Sequence, residues 1–412
     1  MPIFALHSKL IKMKFVYSIL IVFSLLTGCA SEEDRISRRA DKLHMNMLTV
    51  DTHCDTPMRL ARKGFDLNMK NEKGCVDFPR MKEGGLDAEF FAIFIGQGPR
   101  DSATFDLKHQ MTLAIFDSIH SNVRRYPEIA GLALTPEDAY SLKAAGKIAV
   151  FIGIENGYAI GKDLSRIKEY YDLGARYITL CHSANNDICD SSTDPLGPEH
   201  NGLSAFGEEV VKEMNRLGMI IDVSHLSDKS FYDVLNLSKV PVIASHSSCR
   251  ALCENPRNLN DDMLLALKKN GGVIQICLLS EYLKQPEPNP EFDAKEKELR
   301  QRMKALGPAA TDEQKEKLWD EFQALHDSYV RLATVADAVN HIQHVVDVIG
   351  IDHVGIGSDF DGGGEIDGCR DVSQMKNITK ELIRRGYSNE DIAKIWGKNI
   401  MRVMHEVQTL AE

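Results

Sequence analysis

The sequence contains seven residues of the types that bind metal ions or exchange protons, each at or just after the end of an apolar run of strand length. They are His53, Asp55, Glu155, His182, His225, His246 and Asp359. Mixed imidazole and carboxylate ligands suit zinc best, although manganese, cobalt or nickel also accept them. Two such ions about 3.5 Å apart polarise a carbonyl group and hold a hydroxide between them. The residue types therefore predict a two-metal hydrolase.

The spacing of these residues indicates how two ions would share them. His53 and Asp55 are two residues apart, and along an extended strand such side chains point to the same side. This pair can chelate one ion. His225 and His246 follow neighbouring strands and can supply two imidazole nitrogens to a second ion. Glu155 has two carboxylate oxygens that can bridge both.

Competing catalytic and binding motifs are incomplete in this sequence. Residues 355–360 lack the third glycine of a dinucleotide-binding loop, and residues 359–362 lack the later acidic positions of an EF-hand loop. No GxSxG segment is present to supply the nucleophile of a serine hydrolase. Metal-activated water remains as the predicted nucleophile.

The elements that must position these residues are strands alternating with amphipathic helical segments. Such alternation predicts parallel βαβ units, and runs rich in Val, Ile and Leu predict strands covered on both faces. Eight such units predict a closed (β/α)8 TIM-type barrel of the α/β class with helical elaborations. The predicted strands are 47–52, 88–95, 148–154, 177–181, 219–223, 242–245, 272–277 and 353–357.

The chemistry-bearing residues all lie at the carboxyl ends of these predicted strands. In barrel enzymes that end is the catalytic face. A single histidine after a strand is ordinarily a hydrogen-bonded core or loop residue, and a single Asp or Glu there is often a helix N-cap. Core histidines have no reason to occupy the same end of several strands. The set as a whole therefore predicts an active site at the barrel mouth.

The rest of the chain divides into a short tether and one domain. Residues 29–44 are polar and predict a tether, and residues 45–412 predict a single barrel domain. The long connection 96–146 is predicted to be helical. The segment from about 280 to 350, dense in Glu, Lys and Gln, predicts a helical elaboration between strands 7 and 8 on the outside or rim of the barrel.

Residues 1–28 predict an export leader. Three lysines precede the apolar run 15–26, which matches the charged and hydrophobic regions of a signal peptide. The run is shorter than the roughly 20 residues that span a bilayer. Residues 26–29, Leu-Thr-Gly-Cys, resemble a bacterial lipobox and predict lipid modification of Cys29. The predicted location is a membrane-anchored lipoprotein, periplasmic or at the cell surface; an ordinary signal peptide followed by a chance cysteine is the alternative.

The overall composition is that of a soluble globular protein. Hydrophobic residues make up 43% and charged residues 26% of the 412 residues. The formal net charge of −11 argues against a nucleic-acid partner, because phosphate backbones bind to concentrated basic faces.

The ordered motifs resemble those of the membrane dipeptidase (renal dipeptidase) family of metallopeptidases, related in fold to the amidohydrolases. The resemblance runs from about residue 45 to residue 407. It implies a dipeptide substrate and two zinc ions, with His53 and Asp55 on one, His225 and His246 on the other, and Glu155 bridging. It also implies a homodimer and tolerance of a D-residue at the substrate's C-terminal position. The segments that carry it are 50–55, 153–156, 180–186, 222–225, 245–248, 257–258 and 357–362.

The same resemblance implies roles that spacing alone does not show. His182 would stabilise the oxyanion of the tetrahedral intermediate, and Arg257 would pair with the substrate's terminal carboxylate. Asp359 would take a proton from a zinc-bridging hydroxide or water and deliver it to the leaving amine. His182, Arg257 and Asp359 would thus contact substrate, and Glu155 would hold the nucleophile's metals. Restriction to very short peptides follows from Arg257.

Two alternatives stay open at this point. A different dinuclear amidohydrolase, such as a D-aminoacylase or lactonase, could use the same metals with another recognition pocket, and Arg257 is the residue that discriminates. A catalytically inactive binding lipoprotein would have a broken ligand set, whereas all seven positions are intact here.

Overall fold

The computed structural model describes residues 31–60, 64–285, 287–306, 310–329 and 332–411. Its strands form one parallel sheet in the order β1-β2-β4-β5-β6-β7-β8-β9, with β3 beside β4. Cys54 of the first strand pairs with Phe360 just after the last, so the sheet is a nearly closed eight-stranded barrel. The strands are β1 Val50–Cys54, β2 Ala88–Phe94, β3 Ala130–Leu132, β4 Ile148–Glu155, β5 Ala175–Thr179, β6 Ile220–Asp222, β7 Ile243–Ser247, β8 Val273–Cys277 and β9 Val354–Gly357.

The predicted (β/α)8 barrel is confirmed, and all eight predicted strands are present with shifted ends. The largest shift is in β1, which starts three residues later than predicted. Strand β5 starts two residues earlier than predicted, directly after Gly174, a residue with φ of 106° that turns the chain into the strand. The three-residue strand β3 was not expected. It lies in the connection predicted to be helical and pairs only with β4.

Helices lie between successive strands and surround the barrel. Several begin with an Asp, Ser, Thr or Asn side chain that accepts a backbone N–H of the first turn, which satisfies a donor that has no partner within the helix. They are α1 Glu32–Asn46, α2 Phe78–Gly84, α3 Ser102–Arg125, α4 Pro136–Ala144, α5 Ser165–Asp172, α6 Ala205–Leu217, α7 Asp228–Leu237, α8 Asp261–Asn270, α9 Ser280–Leu283, α10 Pro290–Leu306, α11 Asp312–Tyr329, α12 Val335–Ile349, α13 Lys376–Arg384, α14 Asn389–Ala393 and α15 Asn399–Thr409.

The barrel is closed by apolar packing at the end where its strands begin. Val50, Ala88 and Phe151 belong to one buried cluster with Val403 and Met404 of α15. The opposite end is the mouth of the barrel, where His182 is part-exposed. The carboxyl ends of the strands, which carry the predicted chemistry, surround that open mouth.

The elaboration between β8 and β9 is helical, as predicted, and its first and last residues lie next to each other. Helices α10 and α11 form a hairpin with a small apolar cluster of its own around Leu299, Leu318 and Leu325, separate from the barrel core. The backbone N–H of Ala333 donates to Ser280 Oγ at 3.1 Å. The chain therefore returns, after the hairpin, to the point at which it left.

The polar segment predicted as a tether is folded from Glu32 onward, so the tether prediction is wrong for this part. Ser31 caps α1 in a capping box, and Ala40 and His44 are buried. The His44 ring lies edge-on to Trp396, and its Nδ1 is 2.8 Å from Thr379 Oγ1. Charged residues gave the segment its tether-like composition, but one narrow face packs on the domain.

The predicted leader and the predicted lipidation site lie outside the described residues. Within the part of the chain that the structure describes, no helix is long and apolar enough to cross a membrane. The eight described cysteines are buried free thiols.

Candidate active site

The ends of β1 and β9 hold three of the predicted residues side by side. The Asp359 backbone N–H donates to the His53 carbonyl at 3.0 Å, and the Asp55 N–H donates to the Phe360 carbonyl at 2.8 Å. Asp51 braces the same junction, since its Oδ1 accepts the Ser358 N–H at 2.7 Å. These bonds bring His53, Asp55 and Asp359 to one edge of the mouth.

Glu155, the last residue of β4, lies at the centre of the predicted ligands. Its Oε2 is 3.6 Å from His53 Nε2, and its Oε1 is 3.0 Å from His225 Nε2 and 3.5 Å from His246 Nε2. His53 Nε2 is also 3.8 Å from Asp55 Oδ2. One carboxylate thus faces both halves of the set, as its predicted bridging position requires.

These donor atoms fit metal ions better than they fit one another. The Nε2 atoms of His225 and His246 face each other at 2.9 Å, although two imidazole nitrogens share a hydrogen bond only if one is protonated. His53 Nε2 and Asp55 Oδ1 are buried without a hydrogen-bond partner among the described residues. Cations bound between these residues would give the facing imidazole nitrogens and His53 Nε2 a partner.

Three clusters of the described residues have ligand atoms close enough to share an ion. They are His53 with Asp55 and Glu155, His53 with His246 and Asp359, and Glu155 with His182 and His225. The structure therefore brings all seven predicted residues into one connected group.

The electrostatics of the group also favour positive charge. Burial alone would raise the pKa of Glu155, but the His53 and His182 rings outweigh it and hold that pKa well below its usual range. Burial, with the nearby carboxylates of Asp55 and Glu155, raises the pKa of Asp359 to about 8, although His53 opposes this. A buried carboxyl group with such a pKa holds or releases a proton near neutral pH.

The backbone at the mouth is strained at several functional positions. His225 and Asp359 have φ values of 70° and 63°, and Asn156, which follows Glu155, has a φ of 77°. Non-glycine residues adopt this left-handed region at a free-energy cost that the surrounding structure must offset. The turn aims the His225 and Asp359 side chains into the mouth instead of along the strand.

Two further predicted residues, His182 and Arg257, lie beside this group. His182 is part-exposed, with its Nε2 3.7 Å from Glu155 Oε1. Arg257 is buried, with its Nη2 donating to the His246 carbonyl at 3.1 Å and its guanidinium 5.3 Å from the centre of the Tyr282 ring. Arg257 Nε has no hydrogen-bond partner among the described residues, and none of their carboxylates forms an ion pair with Arg257. An uncompensated buried cation is a receptor for an anion.

Residues that support the ligands were not predicted. Tyr177 OH is 2.9 Å from His53 Nδ1, and Ser245 Oγ is 2.8 Å from His246 Nδ1. Gly362 also matters, because a Cβ there would lie 2.1 Å from Asp55 Oδ2 and 2.3 Å from Asp359 Oδ1. The signal for Ser245 was its position directly before a ligand, whereas Tyr177 gave none, since a tyrosine in a strand is ordinarily core.

Comparison with known proteins decides the family. The model of the family described as membrane dipeptidase, peptidase family M19, matches residues 37–412. The chain belongs to the membrane dipeptidase family. Its members depend on metal ions, and the chain is accordingly a metal-dependent hydrolase of the dipeptidase type.

Similar proteins cover nearly the whole membrane dipeptidase domain. Dipeptidase verJ of Clonostachys rogersoniana is 34% identical, over 94% of this chain and 91% of that protein. Dipeptidase aclJ of Aspergillus oryzae is also 34% identical, over 82% of this chain and 71% of that protein. The crystal structure of the probable dipeptidase PvdM from Pseudomonas aeruginosa matches with a TM-score of 0.80 and 33% identity, over 92% of this chain and 99% of that one.

Proposed function

We propose that this chain is a dinuclear zinc dipeptidase that cleaves dipeptides, including those with a D-residue at the C-terminal position. The observation that carries the proposal is the convergence of His53, Asp55, His225 and His246 on the two oxygens of Glu155. His53 and Asp55 would hold one ion, His225 and His246 the other, and Glu155 both. Zinc, when bound, supplies Lewis acidity and lowers the pKa of water.

The proton-transfer group is Asp359. Its carboxyl group lies at the edge of the ligand set, with Oδ1 3.9 Å from His53 Nε2. From this position it can accept the proton of the attacking water and then give it to the leaving amine. Its neighbour Gly362 keeps this space free of side-chain atoms.

Two cationic or donor groups recognise the substrate. Arg257 presents a buried guanidinium with no carboxylate partner, which suits the free C-terminal carboxylate of a dipeptide. His182, on the opposite side of Glu155 from His53, donates from Nε2 to the developing oxyanion. A carboxylate bound by Arg257 restricts cleavage to the last peptide bond of a substrate.

The test combines metal analysis with a substrate panel. The purified protein should contain about two zinc ions per chain, and removal by a chelator should abolish hydrolysis that zinc restores. Glu155→Gln should lose metal, whereas Glu169→Gln, on the outer helix α5, should keep it. The panel should contain L,L- and L,D-dipeptides, their C-terminal amides and tripeptides. A metal-free preparation that cleaves dipeptides at full rate, or a preference for amides, contradicts the proposal.

We also propose that Cys29 carries a lipid anchor that holds the exported protein at a membrane. The Leu-Thr-Gly-Cys segment after a short apolar run supports this. Cys29→Ser should release the protein into the soluble fraction of cells, while a serine substitution at the buried Cys249 should not. A wild-type protein that is already soluble and starts at another residue contradicts the anchor.

A further inference from the structure

A hydrogen-bonded chain leads from one proposed metal ligand to a buried carboxylate. His246 Nδ1 lies 2.8 Å from Ser245 Oγ, and Ser245 Oγ lies 2.6 Å from Asp222 Oδ2. Asp222, at the end of β6, is completely buried. These two hydrogen bonds thus join the ring of a proposed ligand on β7 to a side chain on the neighbouring strand.

The donors around Asp222 determine which atom donates in each of these hydrogen bonds. Asp222 is surrounded by donors, since its Oδ1 accepts the Ser224 and Ser245 backbone N–H groups at 3.0 and 2.9 Å, and its Oδ2 also accepts the Thr179 hydroxyl at 2.5 Å. Ser245 therefore gives its one hydroxyl proton to Asp222. Its oxygen can then only accept from His246 Nδ1–H.

The direction of the chain decides which nitrogen of His246 is free. With the proton on Nδ1, Nε2 carries a lone pair, and this atom faces His225 and Glu155. The other proposed ligands are supported differently. His53 Nδ1 lies beside the neutral Tyr177 hydroxyl, and His225 Nδ1 has no partner among the described residues.

We propose that Ser245 and Asp222 are positioning residues that hold His246 as the Nδ1–H tautomer, so that Nε2 is ready to bind the second metal ion. The inference rests on the proposed function, because it takes His246 as a ligand. Hydrogen bonds of this kind commonly change metal affinity about 10- to 100-fold. Neither residue touches substrate or metal, so they act only through the ring.

Substitution of Asp222 by asparagine should reverse the donor–acceptor direction of these hydrogen bonds instead of merely removing one of them. The asparagine oxygen must still face the two backbone N–H groups, because these cannot accept a hydrogen bond. Its NH2 group then donates to Ser245 Oγ, and the serine hydroxyl turns to donate to His246 Nδ1. The proton moves to Nε2, where it opposes metal binding. Asp222→Asn should therefore weaken the second ion more than Ser245→Ala, which only removes the acceptor.

The experiment measures zinc affinity and histidine tautomers in the full-length enzyme. Competition with a chromogenic chelator should show that the weaker-held ion of Ser245→Ala binds about 10- to 100-fold less tightly than in the wild type. Ser245→Thr, which keeps the hydroxyl, should recover the affinity. The matched control is Ser224→Ala, since Ser224 Oγ accepts the backbone N–H of His246 at 3.1 Å and lies 3.5 Å from Ser245 Oγ, but does not reach the His246 ring.

A second readout does not depend on metal. In the metal-free protein labelled with 15N-histidine, the shifts of His246 should report Nδ1–H in the wild type and Nε2–H in Asp222→Asn. If His246 has Nε2–H in the wild type, or if Ser245→Ala binds zinc as tightly as the wild type, the inference is overturned. An equal loss in Ser224→Ala would also overturn it, because the effect would then come from the backbone. A wild type that binds no metal would instead contradict the proposed function and leave the tautomer test standing.

Discussion

The two ends of the barrel are built by the same strands but differ in what they leave unsatisfied. Where the strands begin, Val50 and Phe151 belong to one buried apolar cluster with Met404 of α15. Where the strands end, buried polar atoms such as His53 Nε2 have no hydrogen-bond partner among the residues that the structure describes, and His225 has a strained backbone. The closed end stabilises the fold, and the open end holds groups whose partners come from outside.

The largest effect on activity is expected for Asp359→Asn at the open end. Asparagine tolerates the left-handed backbone of this residue but cannot accept the proton, so the turnover number should fall by roughly 10²-fold or more with zinc retained. Steady-state kinetics with metal analysis measure this. Asp361→Asn is the matched control, because Asp361 has a similar φ of 66° but pairs with Arg59 at 2.8 Å. Wild-type turnover in Asp359→Asn would place the proton carrier elsewhere.

The next expected effect concerns recognition at the same end. Arg257→Ala should lower kcat/KM for dipeptides by roughly 10- to 100-fold, the range expected when a charge-assisted hydrogen bond is lost. Activity on the corresponding amides should change little, so the preference for a free carboxylate disappears. Arg250→Ala is the control, since Arg250 already pairs with Asp228 at 2.7 Å. A variant that still prefers free dipeptides would show that another group binds the carboxylate.

At the closed end, the prediction is a loss of stability without a loss of chemistry. Met404→Ala empties a completely buried position and should lower the free energy of unfolding by about 2–5 kcal/mol. Zinc content and turnover number of the folded protein should not change. Urea unfolding compared with the exposed Met45→Ala measures the difference, since surface changes usually have small effects. A changed turnover number would mean that the two ends are coupled.

The smallest expected effect is a pH dependence of stability from His44, close to the start of β1. Burial, with Lys376 and Lys143 nearby, lowers the pKa of this ring to about 3 in the folded protein, against about 6.5 when unfolded. Between these values the unfolded chain binds the extra proton, so stability falls as the pH drops below 6.5. The loss should reach about 2 kcal/mol at pH 5.

His44→Gln removes the titrating group and should flatten this part of the pH profile of the unfolding free energy. The neighbouring bond between Trp396 Nε1 and Thr379 Oγ1, at 2.8 Å, does not titrate and should persist. If the profile of His44→Gln falls between pH 6.5 and 5 as steeply as that of the wild type, other groups cause the dependence.

The strands and the grouping of polar residues were predictable because both depend on local pattern. A barrel strand is a nearly continuous apolar run, and its carboxyl end always reaches the same face, so Glu155 and His246 are brought together by topology alone. Helix α1 was not predictable in this way. Its buried face is narrow, and its partner Thr379 lies more than 300 residues away.

The side chains that hydrogen-bond to the proposed ligands could also not be predicted from the sequence. The link from Ser245 to Asp222 depends on the register of two neighbouring strands, and that of His53 to Tyr177 depends on which side chains cross the barrel interior. The left-handed turn at His225 likewise requires the loops around it. Such features arise from long-range packing, which residue type and spacing do not encode.

The return of the chain from the α10–α11 hairpin to Ser280 has a consequence for how this protein can vary. Because the excursion closes on itself and has its own apolar cluster, its length is nearly independent of the barrel core. Loop-closure entropy changes slowly with length, so a shorter or longer excursion costs little free energy. The point where Ala333 returns to the end of β8 near Ser280 is therefore a natural position at which evolution or an engineer can delete the hairpin or replace it with another module.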